Sequence, residues 1–150
     1  MSDLEIRPAA LTDISAVVAM LADDPLAAQR ESPDDLAPYR AAFQRLAHDP
    51  NQHLVVAVRD GAVVGTLQLT VIPGLSRRGS TRSIIEGVRV HADERGSGLG
   101  TRLIQWAVDE SRRQDCQLVQ LTSDATRTDA HRFYERLGFI ASHVGFKLAL

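Results

Sequence analysis

One short segment limits the folds open to this chain more than any other. Arg95-Gly96-Ser97-Gly98-Leu99-Gly100 joins a stretch of strand character, Arg82 to His91, to a helical stretch from Leu99 to Arg113. Leu99, Leu103 and Ala107, with Ile104 and Val108 one turn-face over, give that helix an apolar stripe. Gln117 to Thr122 reads as a further strand. Strand, glycine turn, helix and strand make a crossover unit, so its two strands are predicted parallel with a right-handed connection. The three glycines permit positive φ and the close approach of another molecule. The helix after them starts with unpaired N–H groups and a partial positive charge, which suits an anion such as phosphate. Arg95 adds a full charge at the mouth. The same glycines also fit a tight turn that serves strand-to-helix geometry alone.

The rest of the pattern surrounds that unit. Leu4 to Arg7 reads as an edge strand stopped by Pro8. Thr12 or Asp13 can cap a helix carrying Ile14, Val17, Val18 and Leu21. A second helix is predicted to start at Ser32-Pro33 and run through Leu36, Phe43 and Leu46. His53 to Val58 and Ala62 to Ile72 are strands joined by an Asp60-Gly61 hairpin turn. Pro73 to Ser80 is a loop, Thr128 to Leu137 a helix with Gly138 as its stop, and Ile140 to Leu150 a closing strand. The predicted order is β-α-α-β-β-β-α-β-α-β, an α/β chain with a mixed sheet and helices on both faces. With 150 residues and no internal linker or repeat, residues 1–150 are expected to form one domain.

Composition removes several function classes. Lys and Arg number 17 against 19 Asp and Glu, a formal charge of −2, so no global field favours nucleic acid or an anionic membrane. Cys116 is the only cysteine, which excludes an intrachain disulfide and a cysteine zinc cluster within the chain. The five histidines form no tight pair, so no metal is expected. The N-terminus lacks the basic and apolar regions of a signal peptide, and no apolar run approaches the roughly 18 residues of a membrane helix. A soluble, cytoplasmic protein is expected.

Which anion would the turn hold? The dinucleotide pattern Gly-x-Gly-x-x-Gly fails, because counting from Gly96 puts Thr101 at the third glycine. The Walker pattern fails as well, since no Gly-Lys-Ser/Thr follows at the right spacing. The run from Val88 to Gly100, with Val88, Val90, Arg95, Gly98 and Gly100 at the defined positions, instead resembles the acyl-CoA signature of the GNAT acetyltransferase family. Ala130-His131-Arg132-Phe133-Tyr134-Glu135-Arg136-Leu137-Gly138-Phe139 resembles a second segment of that family. One position departs: Arg127 stands where many members have Asn.

The resemblance implies an acetyl-CoA-dependent N-acetyltransferase. Its backbone N–H groups at Gly96, Ser97, Gly98, Leu99, Gly100 and Thr101 would hold the pyrophosphate, beside Arg95. The strand at Val88, Arg89 and Val90 would pair with the pantetheine amides as an added strand does. A splay between that strand and the one at Gln117 to Thr122 would admit the pantetheine arm. Phe133 belongs to the matched segment, and Arg127 could reach a CoA phosphate. N–H groups near Val88 could hold the developing oxyanion. An alkyl amine has a pKa near 10 and must lose a proton before it attacks. Glu86, in phase with Val88 and Val90, is the candidate base, directly or through water; the alternative is an ion pair with Arg82 or Arg89. Tyr134 is the candidate acid for the departing thiolate, or a ring packed beside Phe133 and Phe139. Cys116 reads as a free structural cysteine, so transfer is expected to be direct, in a ternary complex.

The acceptor is a small-molecule primary amine in this reading; a protein N-terminus or lysine, or a CoA-sensing module without turnover, are the alternatives. Asp23, Asp24, Glu31, Asp34 and Asp35 would suit a cationic acceptor, and Arg77, Arg78 and Arg82 an anionic one; either run could be solvated surface. No nucleic acid or membrane partner is expected. Family members often dimerise, and a homodimer is expected here.

Overall fold

Alternation of apolar side chains builds the sheet outward from its longest hairpin. In the computed structural model, which describes residues 3–150, β2 (Gln52–Arg59) and β3 (Ala62–Ile72) pair antiparallel. The turn between them places Asp60 at φ 53° and Gly61 at φ 78°. Two successive positive φ values are what a two-residue hairpin requires, and Asp-Gly supplies them cheaply. β1 (Leu4–Pro8) adds to the outer side of β2, and β4 (Arg82–Val90) to the outer side of β3, both antiparallel. β5 (Leu118–Leu121) completes the order β1-β2-β3-β4-β5. The helices are α1 (Ile14–Ala22), α2 (Ala37–Ala47), α3 (Leu99–Arg113) and α4 (Thr128–Arg136). The sheet is therefore mixed α/β as expected, and among the described residues no helix is long and apolar enough to cross a membrane.

Two compact units result, residues 1–120 and 121–150. The first holds the core. Val56, Ala57, Leu67 and Leu69 of the hairpin are fully buried, as are Leu103 and Ala107 of the α3 stripe. Ile104 and Leu99 are almost as deep. Burying a Leu or Ile contributes about 1.5–3 kcal/mol, so this apolar stripe fixes α3 against the sheet. Gly65 makes the approach close: a Cβ there would lie 3.1 Å from Leu103 and 3.3 Å from Leu99. Below it, the Ser111 hydroxyl donates to the Ala107 carbonyl (2.7 Å), which leaves the Ser83 hydroxyl to donate to Ser111 (2.7 Å). Both serines are buried and satisfied, tying α3 to the first half of β4.

Two expectations need correction, and one is sharpened: Asp13, one of the two expected caps, is the N-cap residue of α1. α2 begins at Ala37, not at Ser32-Pro33, with Pro38 in its first turn. The Ser32 hydroxyl instead donates to the Asp35 carbonyl, and the Asp35 carboxylate accepts from the Ala37 N–H, so the earlier serine shapes a turn. α1 is preceded by a short 3-10 turn at Leu11–Asp13. Asp13 is buried, accepts the Ala10 N–H at 2.7 Å, and is gripped by both terminal nitrogens of Arg7 at 2.7 and 3.1 Å. In the second unit, residues 140–150 form no strand. Ile140, Val144, Phe146, Leu148 and Leu150 are exposed there. Alternation alone does not make a strand, because strand backbone groups need a partner ladder.

Candidate functional site

The glycine turn is built by the chain that leaves β4. After Val90 the backbone makes a 3-10 turn at Ala92–Glu94 and reaches Gly96 at φ 82° and Gly98 at φ 85°. Both values fall where L side chains are strained, so glycine is required at these two positions. Gly98 is the N-cap residue of α3 and offers no side chain to its amides. Among the described residues, no hydrogen bond occupies the N–H groups of Leu99, Gly100 and Thr101. A Cβ built on Gly96 or Gly98 would meet nothing within 4 Å, so the bend faces open space. Unpaired amides, missing side chains and the positive end of a 15-residue helix together fit an anion such as the pyrophosphate of CoA.

The turn is braced from beneath. Glu94 takes the Arg59 guanidinium at 2.9 Å, and its carbonyl accepts both the N–H (3.1 Å) and the hydroxyl (2.6 Å) of Ser97. Arg95 lies 3.5 Å from Asp23, with both side chains well exposed. Such a pair is worth little, about 0–1 kcal/mol, and leaves Arg95 available to an anion.

β4 holds the remaining candidates of the first unit. Its register places Glu86 opposite Gln68 and Arg89 opposite Thr66, so Gly87 and Val88 together face the single residue Leu67. Gly87 sits at φ 62°. This is a bulge with a left-handed glycine at its first position, a device that bends a strand and re-aims its side chains. It corrects the expected phase: Glu86 shares its sheet face with Arg82 and Ile84, but not with Val88. The mid-strand glycine was the available signal for it.

Glu86 is exposed. The suggested ion pair is absent. Arg89 turns to Asp24 (3.4 Å) and donates to the Val88 carbonyl (2.9 Å), and Arg82 pairs with no carboxylate among the described residues. Arg89 can therefore offer a ligand its backbone rather than its guanidinium. Val88 and Val90 are half-buried. β5 is short, and the Gln117 N–H joins the Thr81 carbonyl just before β4 begins (2.8 Å). Asp24, which the sequence placed in an acidic run suited to a cationic acceptor, is instead a buried carboxylate that anchors Arg89 and accepts the Leu26 N–H at 3.0 Å. Sequence reasoning missed Gln68, opposite Glu86. Burial pushes the Cys116 thiol up, against the nucleophilic thiolate that a ping-pong route requires.

The second unit carries Tyr134, Phe133 and Arg127. On α4 the Tyr134 ring meets Phe133 edge-on at 5.2 Å and Phe139 at 5.9 Å. Arg127 is the N-cap residue of α4. Its N–H donates to the Asp124 carbonyl, while the Asp124 carboxylate accepts from the hydroxyl and N–H of Thr126. Those Thr126 bonds hold the Asp124 carboxyl below its usual range.

With this geometry in place, comparison with known proteins decides the family. A model of the acetyltransferase (GNAT) family matches residues 16–139. The chain belongs to the GNAT family. It is 34% identical over 146 residues to an aminoalkylphosphonate N-acetyltransferase of Salmonella typhimurium, covering 97% of this chain and 91% of that one. A glucosamine 6-phosphate N-acetyltransferase of Trypanosoma brucei brucei is 37% identical over 90 residues, 60% of this chain and 59% of that protein. Among solved structures, a transcriptional regulator from Bacillus halodurans has a TM-score of 0.94 and 43% identity, covering 99% of this chain and all of that one. The GNAT chain described here is thus an acetyltransferase by family, with acetyl-CoA as its co-substrate.

Proposed function

We propose that this chain, acting as one domain over residues 1–150, transfers an acetyl group from acetyl-CoA directly to a primary amine of a small molecule in a ternary complex. The observation that carries the reading is the cradle of amides at residues 96–101, open except at Ser97, whose N–H is taken by the Glu94 carbonyl, and built on glycines that no other residue replaces without strain. In this reading those amides and Arg95 hold the pyrophosphate. The backbone of Val88, Arg89 and Val90 lines the pantetheine arm, and Arg127 and Phe133 contribute further contacts. Glu86 accepts the ammonium proton, directly or through water, so that the amine attacks as a neutral nucleophile. An N–H near Val88 stabilises the oxyanion. Tyr134 gives its phenolic proton to the departing thiolate. The amine gains the acetyl group and loses a proton, and CoA leaves as the thiol.

The relatives support a small acceptor: one is named for aminoalkylphosphonates and another for glucosamine 6-phosphate, each an amine that also bears phosphorus. Cytoplasmic residence is part of the proposal; among the described residues no helix is long and apolar enough to cross a membrane. So is a homodimer, supported by the exposed alternate residues Val144, Phe146, Leu148 and Leu150, a strand pattern with no strand beside it.

A second reading has its own support. The likeness to a transcriptional regulator favours an acyl-CoA-responsive module without turnover. Calorimetry with acetyl-CoA, together with CoA-thiol release over an amine panel, separates the two. Binding with release supports the transferase; binding with no release on any amine or peptide supports the sensor.

A further inference from the structure

The sequence offered two opposite acceptors, one for the aspartates of residues 23–35 and one for the arginines of residues 77–82. The structure treats the two runs differently. Asp23 faces Arg95, Asp24 faces Arg89 and the Leu26 N–H, and Asp35 caps the Ala37 N–H. Asp24 and Asp35 are thus already held by this chain's own donors, and Asp23 shares a weak, exposed pair. Arg77, Arg78 and Arg82 have no such partner: among the described residues no carboxylate pairs with any of them.

The arginines are also placed together. Arg82 opens β4, and its Nη1 lies 3.9 Å from where a Cβ on Gly74 would stand, at the base of the loop that carries the other two. Arg77 and Arg78 adopt φ 52° and 62°, and Gly79 follows at φ 73°. Three successive left-handed residues make a turn that non-glycine residues rarely enter, and such strain concentrates at functional sites. The strand register supplies the link to chemistry. Arg82 opposes Ile72, Ile84 opposes Thr70 and Glu86 opposes Gln68, so Arg82 and Glu86 project from one face, four residues apart. At about 3.3 Å per residue their Cα atoms are roughly 13 Å apart. Beside Glu86 that face is polar: the Gln68 amide and the Thr70 hydroxyl both donate to the Gln52 carbonyl oxygen at 2.9 Å.

We propose that Arg82, with Arg77 and Arg78, binds a phosphonate or phosphate-monoester group on the acceptor while the acceptor's amine lies at Glu86. A guanidinium presents a planar fork of donors that matches a phosphorus oxyanion in two parallel hydrogen bonds. Several such groups on one loop favour a dianion over a carboxylate or a neutral hydroxyl. The inference rests on the transferase reading above and adds to it the group that selects the substrate.

The test measures CoA-thiol release by the full chain with 2-aminoethylphosphonate, O-phosphoethanolamine, ethanolamine and putrescine. The expected kcat/KM is about tenfold or more higher for a phosphorus-bearing amine than for ethanolamine. The first two substrates distinguish a phosphonate from a phosphate ester. Arg82→Gln, checked for unchanged acetyl-CoA binding by calorimetry, is expected to collapse that ratio about tenfold, mainly through KM. Arg82→Lys should restore part of it. Preference for putrescine, or a ratio that survives both Arg82→Gln and the Arg77→Gln/Arg78→Gln double variant, overturns the inference and leaves the transferase standing. Release with no amine at all, despite acetyl-CoA binding, removes the transferase reading and this inference with it.

Discussion

The two ends of β4 use the same backbone conformation with opposite residues. At the far end, Gly96 and Gly98 take positive φ without strain, and the open groups are main-chain amides. At the near end, Arg77 and Arg78 take positive φ against their preference, at about 1–2 kcal/mol each, and the unpartnered groups are side chains. Glycine leaves a smooth cradle that reads charge and shape through the backbone. Arginine keeps the strain but adds planar forks that discriminate. A carrier shared by a whole family suits the first device, and an acceptor particular to one enzyme suits the second.

The strongest attack on this comparison is at the point between the ends. Glu86→Gln is expected to lower kcat by roughly 1,000-fold, the middle of the range for a general base, while calorimetric affinity for acetyl-CoA stays put. A small loss would remove Glu86 from the chemistry. Next in size, Gly98→Val should weaken acetyl-CoA binding roughly 100-fold by forcing the cap out of its left-handed conformation. Unchanged binding would mean that the amides are not the cradle. Arg78→Gly sharpens the contrast, since it should raise unfolding stability by about 1 kcal/mol in a urea melt while reducing selection for phosphorus-bearing amines. A stability loss would show that the left-handed arginine carries no strain.

The smallest effect lies away from both ends and serves as a control. Asp13→Asn should cost about 1 kcal/mol through the lost charge facing Arg7, since the amide oxygen can still accept the Ala10 N–H, and leave acetyl-CoA affinity intact. Its pH signature follows from the Arg7 hydrogen bonds, which hold the Asp13 carboxyl below its ordinary value. A lowered folded pKa gives a contribution present above the unfolded value and lost as pH falls through the folded one. The wild-type chain should therefore lose stability in acid below the ordinary carboxylate range, and Asp13→Asn should flatten part of that slope in melts at stepped pH.

Much of this was legible in the sequence where local rules act alone. β3 and α3 have the limits that their periodicity predicts, and Asp60-Gly61 makes its hairpin. The cradle was legible too, because positive φ beside a helix start leaves a glycine mark. Legibility failed where a partner decides. Ser32-Pro33 offered a helix start that the Asp35 cap took over. Val144 to Leu150 showed strand alternation but no ladder to join. Glu86 was named as the candidate base, yet its phase was misjudged, since a bulge is a property of two strands in register. The commitment of Asp23 and Asp24 to arginines more than 60 residues away could not be seen in one dimension.

Ile84 stands between Arg82 and Glu86 on a hydrogen-bonded strand, so the backbone positions from which the two side chains reach are held at a fixed spacing. In the acceptor reading proposed above, selectivity then depends on length: a molecule fits only if its own chain, together with the reach of the two side chains, spans that spacing, with methylenes lying over the isoleucine. The strand acts as a ruler laid under the substrate, and lengthening an acceptor one carbon at a time would read its graduations.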